Sequence, residues 1–275
     1  MSATDTTLRL HDGTTLPAFG VGLYKVPPLE VRTVVDAALE VGYRLFDTAT
    51  MYENEAALGD ALEESGIPRA EVTVASKVLN SDQGRGSTRE AFLRSLESLR
   101  LDALDLYLIH WPAPRQNLFE ETWEEMLELQ AEGLIRSVGV SNFHPHHLDR
   151  IIERTGVAPV VNQVECHPWL QQEALRAHHA ERGIAMQAWS PLARGKVLDD
   201  PTLTRIGDSH GVDAAAVALA WQLDRDVALV VKSSRPERLR ANLRAGEVRL
   251  TDSDRADLAS LERGFRTGMD PDDRD

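Results

Sequence analysis

The chain has 275 residues, 42% of them hydrophobic and 27% charged, enough apolar surface for a sizeable core in one large domain or two small ones. No apolar stretch approaches the roughly 20 residues of a membrane span, and a formal charge of −14 disfavours nucleic acid and anionic membrane as partners. Cys166 is the only cysteine, which excludes a disulfide framework or a cysteine-based metal site within one chain; an N-terminus with neither a basic start nor an apolar run agrees with a cytoplasmic protein.

In chain order, TLRLHDGTTLP reads first, as a β-hairpin turning at His11-Asp12-Gly13 and placed to plug one end of a barrel. Eight short β-rich runs follow: FGVGLY (19–24), RLFD (44–47), VTVASK (72–77), LDLYLIH (104–110), RSVGVS (136–141), VVNQVE (160–165), AMQAWS (185–190) and ALVVKS (228–233). Most are near-continuously apolar, as strands of a parallel sheet covered on both faces are.

Amphipathic stretches lie between the runs. LEVRTVVDAALEVG places Val31, Val34, Val35, Ala38 and Leu39 on one helical face and stops at Gly42. STREAFLRSLESLR opens on hydroxyls suited to capping and repeats Phe92, Leu96 and Leu99. LFEETWEEMLELQAEG aligns Trp123, Met126, Leu127 and Gln130, then stops at Gly133. HPHH, just after the fifth run, reads as a helix start whose histidines His144, His146 and His147 are partly exposed; a metal cluster is the alternative. The tail GFRTGMDPDDRD is either a loop folded over one face or a disordered end.

Eight β-then-α units in a chain of this length predict an α/β fold, a (β/α)8 TIM barrel of typically ~250 residues, as a single domain over 1–275. A doubly wound open sheet is the alternative, disfavoured by the repeat count and the lack of a Gly-rich first turn.

In such a barrel the chemistry sits at the C-terminal ends of the strands. The second, third and fourth runs end on Asp47, Lys77 and His110, offering a carboxylate, an ammonium and an imidazole to one mouth. Tyr52 follows five residues after Asp47, within reach of the same space. A phenol is a poor acid at its ordinary pKa of about 10, and a neighbouring ammonium favours the phenolate. Lys77 is therefore expected to lower the pKa of Tyr52, with Asp47 keeping Lys77 charged and His110 bonding a substrate oxygen. Only four of the 30 basic residues are lysines (Lys25, Lys77, Lys196 and Lys232), so two lysines at run ends stand out. Cys166 reads as a buried structural thiol.

The segments FDTATMYENE, ASKVLN, DLYLIHWP, GVSNF, VNQVECHP, WSPLARGK and KSSRPERLRANL resemble, in order, the motifs of the aldo-keto reductase family, over essentially the whole chain. The branch it looks closest to is the bacterial one that includes 2,5-diketo-D-gluconate reductases. The resemblance implies a monomeric, metal-free, NADPH-dependent oxidoreductase acting on a small-molecule carbonyl substrate. Asp47, Tyr52, Lys77 and His110 fall on the family's catalytic tetrad, with Tyr52 as general acid. Ser141, Asn142 and Gln163 would hold the nicotinamide carboxamide and Trp189 would stack on its ring. Ser190, Leu192 and Lys196 would fold over the pyrophosphate. Lys232, Ser233 and Arg238 would bind the 2′-phosphate, with Asn242 near the adenine.

The chain departs from the family pattern at Val231 (usually Pro), Ala241 (often Glu) and Leu79 (often Trp), the last widening a pocket otherwise walled by Tyr24, Met51 and Trp111. Arg266 in the tail would suit a polar carbonyl such as a sugar acid. The rivals are an NADP(H)-binding regulatory module without significant turnover and a metal-dependent barrel hydrolase using His110 and HPHH.

Overall fold

The computed structural model describes residues 6–233 and 235–274. The hairpin forms from β1 (Thr7–Arg9) and β2 (Thr15–Pro17), paired antiparallel with Leu8 opposite Leu16. Asp12 in its turn accepts hydrogen bonds from the Thr14 N–H at 2.9 Å and from Ser137 Oγ at 2.6 Å, fastening the hairpin to the barrel. Leu10 and Leu16 are thereby pressed against Leu45, Leu106, Leu108 and Val161, closing the barrel's N-terminal end.

Eight strands form the barrel among the described residues: β3 (Phe19–Gly22), β4 (Leu45–Asp47), β5 (Thr73–Val78), β6 (Leu104–Ile109), β7 (Ile135–Ser141), β8 (Val161–Glu165), β9 (Ala185–Trp189) and β10 (Ala228–Val231). All neighbours are parallel, and β10 pairs with both β9 and β3, so the sheet closes and no edge is exposed. All eight predicted runs contain a strand. Inside, Gly139 on β7 is required by packing: a Cβ there would meet Leu108 Cδ2 and the Val161 carbonyl oxygen, each at 2.7 Å.

Helices cover the outside, beginning with α1 (Pro28–Glu40), α2 (Glu55–Ser65), α3 (Ser87–Leu99), α4 (Phe119–Ala131) and α5 (Pro145–Thr155). On α1 the expected stripe is in place, with Val31, Val34, Val35 and Ala38 buried. Two expectations need correction. The hydroxyls at the start of α3 do not cap it: the N-cap is Gly86, whose N–H goes to Glu125 on α4, and Thr88 Oγ1 donates back to the Asp82 carbonyl. On α4 the buried face runs through Phe119, Trp123, Met126 and Leu129, leaving Leu127 and Gln130 half-buried at its border.

The tail is a folded loop. It lies across the C-terminal mouth of the barrel and ends in a helical turn over Pro271–Asp273. No helix among the described residues is long and apolar enough to cross a membrane.

Candidate active site

A cleft of about 780 Å³ opens at the C-terminal mouth. It runs from the ends of β3, β4 and β6, past β7–β9, to the turn after β10. The loops at this end of a barrel can vary while the strands hold the side chains in register.

Lys77, wholly buried on β5, is the electrostatic centre. Its Nζ donates to Asp47 Oδ1 at 2.7 Å and to the Thr48 carbonyl at 2.8 Å. Asp47 Oδ2 accepts from Gln163 Nε2 at 2.7 Å, so one carboxylate ties β4, β5 and β8 together. Burial lowers the Lys77 pKa, and Asp47 and Glu55 oppose that shift by favouring the ammonium. Glu55 sits behind the site, accepting from Ser76 Oγ at 2.5 Å.

Tyr52 ends a short helical turn, Thr50–Tyr52, that follows β4. Its ring lies 5.8 Å from the His110 ring, 5.2 Å from the Tyr24 ring and 5.2 Å from Lys77 Nζ, measured to its centroid. The expected lowering of its pKa is absent. Burial raises it well above the usual tyrosine value, and the negative Asp47 and neighbouring Tyr24 add to the rise. The reason is geometric: Lys77 Nζ shares its charge with Asp47 and the Thr48 carbonyl, so its pull on the phenol is outweighed by burial and by the nearby carboxylate. His110 goes the other way. Burial, Lys77 and Arg274 push its pKa well below the histidine range, leaving a neutral imidazole whose Nδ1 is buried without a partner.

A second network braces the middle of the cleft. Ser141 Oγ donates to the Gln163 carbonyl at 2.8 Å. Asn142, in a left-handed conformation with φ of 65°, donates from Nδ2 to the His110 carbonyl at 2.9 Å and to Ser141 Oγ at 3.0 Å. Its Oδ1 accepts from Trp189 Nε1 at 2.8 Å, which sets the plane of that indole.

The structure brings most of the expected residues to this one cleft: Tyr24, Asp47, Met51, Tyr52, His110 and Trp111 at one end, and Lys232, Arg238 and Asn242 at the other, with Ser141, Asn142, Gln163, Trp189, Ser190 and Leu192 between. Lys77 lies beneath Asp47, away from the surface of the cleft. Three expected residues point elsewhere. Leu79 precedes a short turn and does not line the cleft. Lys196 packs its ammonium over Phe265, 4.9 Å from the ring centroid, and the loop presents Arg194 and Gly195 to the cleft instead. Ser233 turns back on its own loop, accepting from the Arg235 N–H at 3.1 Å. Arg266 is also drawn away, pairing with Asp270 at 3.4 Å.

The tail contributes residues that sequence patterns did not single out. Glu165, buried at the end of β8, accepts from the Thr267 and Gly268 N–H groups at 2.6 and 2.9 Å and from His167 Nε2 at 3.1 Å. Burial alone would raise its pKa; these donors outweigh that and keep it lowered. The clamp sets Thr267, Gly268 and Met269 against the cleft. A strand-end carboxylate facing a Thr-Gly was the available signal, but the partners are 102 residues apart. Gly268 is needed for the fit: a Cβ there would lie 2.6 Å from Trp189 Cη2. Gly268→Ala should cost the closed tail about 1–3 kcal/mol, as overpacking does. Limited trypsin cleavage at Arg263 and Arg266 should quicken accordingly, and an unchanged rate would refute the contact.

His144 is the N-cap residue of α5, as a helix start requires, but His147 is only 1% exposed, not partly exposed as expected. Burial pushes its pKa down to about 3. Cys166 is buried with its thiol pushed up to about 12 by burial, and Sγ donates to Gln222 Oε1 at 3.4 Å.

With this geometry in hand, the comparisons with known proteins agree on one family. The family model described as the aldo/keto reductase family matches residues 17–263. An aldo-keto reductase of Mycolicibacterium smegmatis is 44% identical, over 96% of this chain and 96% of that protein. Methylglyoxal reductase DkgA of Escherichia coli K12 is 42% identical over 98% of each. Among solved structures, Gox0644 in its apo form superposes with a TM-score of 0.93 at 41% identity, covering 97% of both chains. A point mutant of Gox0644 in complex with NADPH gives a TM-score of 0.94 at 40% identity, covering 98% of both.

Proposed function

The chain belongs to the aldo/keto reductase family, and on that premise we propose that it reduces an aldehyde or ketone to the alcohol with Tyr52 as the general acid. It is an NADP-dependent oxidoreductase, and its family acts on small carbonyl compounds. The observation that carries the reading is the convergence of a buried Lys77–Asp47 pair, a protonated phenol and a neutral imidazole on one end of a cleft whose other end is cationic.

The donor set fits an extended dinucleotide. Lys232 and Arg238 supply two cations at the turn after β10 for a 2′-phosphate, with Asn242 beside them for the adenine. Left-handed residues at Ser190, Ala193 and Arg194 curl the loop after β9 over the middle, where a pyrophosphate would lie. Gln163 spends its amide nitrogen on Asp47 and Gln187, leaving its oxygen, with Ser141, for the carboxamide. Asn142 holds Trp189 as the flat wall against the nicotinamide. NADPH, when bound, supplies the hydride.

In the reaction the carbonyl carbon gains a hydrogen with its electron pair, the C=O π bond opens, and the oxygen takes a proton from the Tyr52 hydroxyl. A phenol with a raised pKa still suffices, because the developing alkoxide is the stronger base, and Lys77 beneath the ring steadies the phenolate left behind. His110, neutral, offers a hydrogen bond to the same oxygen. We read the whole of 1–275 as one catalytic domain working in the cytoplasm as a monomer.

Loss of NADPH absorbance over a panel of aldehydes, α-keto esters, methylglyoxal and keto-sugar acids tests the proposal. Folded protein that binds NADPH yet consumes none with any carbonyl would sink it. Lys232→Gly should raise the NADPH dissociation constant by about 10- to 100-fold, the worth of a charge-assisted contact. NADH binding should move far less, and equal losses would overturn the phosphate assignment.

A further inference from the structure

The cationic end of the cleft depends on where one short helix stands. Arg238 and Asn242 both line the cleft, and both belong to the helix Pro236–Asn242 that follows β10. Arg238 is exposed, so its guanidinium goes where the helix goes. The turn before the helix gains no hold on the barrel through Ser233, whose hydroxyl bonds Arg235 in the same turn. An ion pair joins Arg240 to Glu40 at the end of α1 at 3.2 Å, but both partners are exposed, and pairs of that kind contribute little. The firm contacts are made by Leu239, whose side chain is wholly buried, and by Tyr43.

Tyr43 starts from a fixed backbone. Gly42 takes a positive φ of 102°, and the Tyr43 N–H returns to the Ala38 carbonyl of α1 at 2.9 Å. The ring is wholly buried and meets Phe19 of β3 edge to face, with centroids 6.3 Å apart and an interplanar angle of 82°. A buried phenol needs a partner for its hydroxyl, and burial pushes its pKa upward, so it stays a donor. It donates to the Leu239 carbonyl at 3.0 Å. That carbonyl is open to it because the helix ends there. Leu243 N–H, which in a longer α-helix would close on Leu239, goes instead to the Arg240 and Ala241 carbonyls. One hydroxyl thus takes up an end carbonyl of the helix and ties it to the barrel wall, between Arg238 and Asn242 in the chain.

We infer that Tyr43 is a positioning residue for the adenosine end of the cofactor: through Leu239 it sets where Arg238 meets the 2′-phosphate and Asn242 the adenine. The inference rests on the phosphate assignment proposed above. Tyr43 does not line the cleft, so its effect passes through the helix. Without the hydroxyl, the Leu239 carbonyl loses a buried donor, and the helix relieves that loss by moving toward water. Arg238 moves with it. A charge-assisted bond to phosphate weakens as its distance and angle degrade, so NADPH loses more than NADH.

The test is Tyr43→Phe, which removes one oxygen and keeps the ring on Phe19. Quenching of tryptophan fluorescence by NADPH and by NADH reads the affinities without turnover. Tyr43→Phe should raise the NADPH dissociation constant by about 3- to 10-fold, the size of one net hydrogen bond, and the NADH constant by less than about twofold. Arg238→Leu should weaken NADPH by about 10-fold or more. Adding Tyr43→Phe to it should weaken NADPH by less than about a further twofold, because the tyrosine acts through the arginine. Equal loss of NADPH and NADH, or the full Tyr43→Phe effect surviving beside Arg238→Leu, would make Tyr43 a residue of the fold alone and overturn the inference. So would NADPH binding that falls in Arg238→Leu and stays unchanged in Tyr43→Phe. Hydrogen exchange of the free protein is the second readout. Backbone amides of residues 239–247 should exchange at least about fivefold faster in Tyr43→Phe, with those of β4 and β5 unchanged, and an unaltered rate at 239–247 overturns the tether. Faster exchange there with NADPH binding unmoved in both single variants would leave the tether standing and bring down the phosphate assignment instead.

Discussion

Tyr52→Phe is expected to lower kcat by about 100- to 10,000-fold, the range that a positioned general acid contributes, while the NADPH dissociation constant stays within about threefold of wild type. The substitution removes one oxygen and keeps the ring, so the contacts with Tyr24 and His110 survive and the short turn Thr50–Tyr52 has no reason to move. Single-turnover reduction with bound NADPH isolates the chemical step from product release. Binding retained and chemistry lost is the pattern of an acid. Both retained would remove Tyr52 from the reaction, and both lost would make it a folding residue.

The pH profile adds an independent check. Burial and Asp47 hold the Tyr52 pKa above its usual value, so the phenol keeps its proton through neutral and mildly alkaline solution. Burial, Lys77 and Arg274 hold the His110 pKa well below the usual value, so its imidazole stays neutral as pH falls through the ordinary histidine range near 6.5. The two directions together predict a kcat/KM that is flat from about pH 6 to 8, falling on the acid side of that window as His110 gains a proton and on the far alkaline side as Tyr52 loses its own. A limb with a midpoint near 6.5 that vanishes in His110→Gln would contradict the neutral-imidazole assignment.

How much of this was legible beforehand follows from the range of the interactions involved. Strands buried on both faces leave an unbroken apolar run, so the barrel and the positions of Asp47, Lys77 and His110 at strand ends could be read locally. The assignment of Tyr52 as acid leaned on the family resemblance. What a run of residues does not encode is direction within a loop. Leu79 and Lys196 sit at the expected places in the chain, yet one precedes a turn away from the cleft and the other is held by Phe265. The tail was ambiguous for a similar reason: Glu165, His144, His146 and His147 recruit it across more than a hundred residues. The spacing of Lys77 indicates a charge near Tyr52 but not the two oxygens that share it or the burial of the phenol, so the sequence predicts a lowered Tyr52 pKa where the structure raises it.

Those two oxygens tie Lys77 to the stability of the fold as well as to the chemistry. Lys77→Met removes a wholly buried ammonium and leaves Asp47 with Gln163 as its remaining side-chain donor. Breaking one side of a buried pair costs about 3–5 kcal/mol, because the surviving charge is left without compensation. Denaturant unfolding should show that loss, and kcat should fall by at least about 100-fold, since the phenolate formed at Tyr52 loses the cation beneath its ring. Low activity in a destabilised protein is ambiguous by itself. The double variant Asp47→Asn, Lys77→Met resolves it: with both charges gone, an amide can still bond Gln163, and replacing a whole buried pair is often close to neutral. The double variant should regain most of the lost stability and none of the lost turnover. Recovery of both would mean that the pair only holds β4 and β5 together. Recovery of neither would mean that the Thr48 carbonyl, left without its donor, matters more to the fold than the carboxylate does.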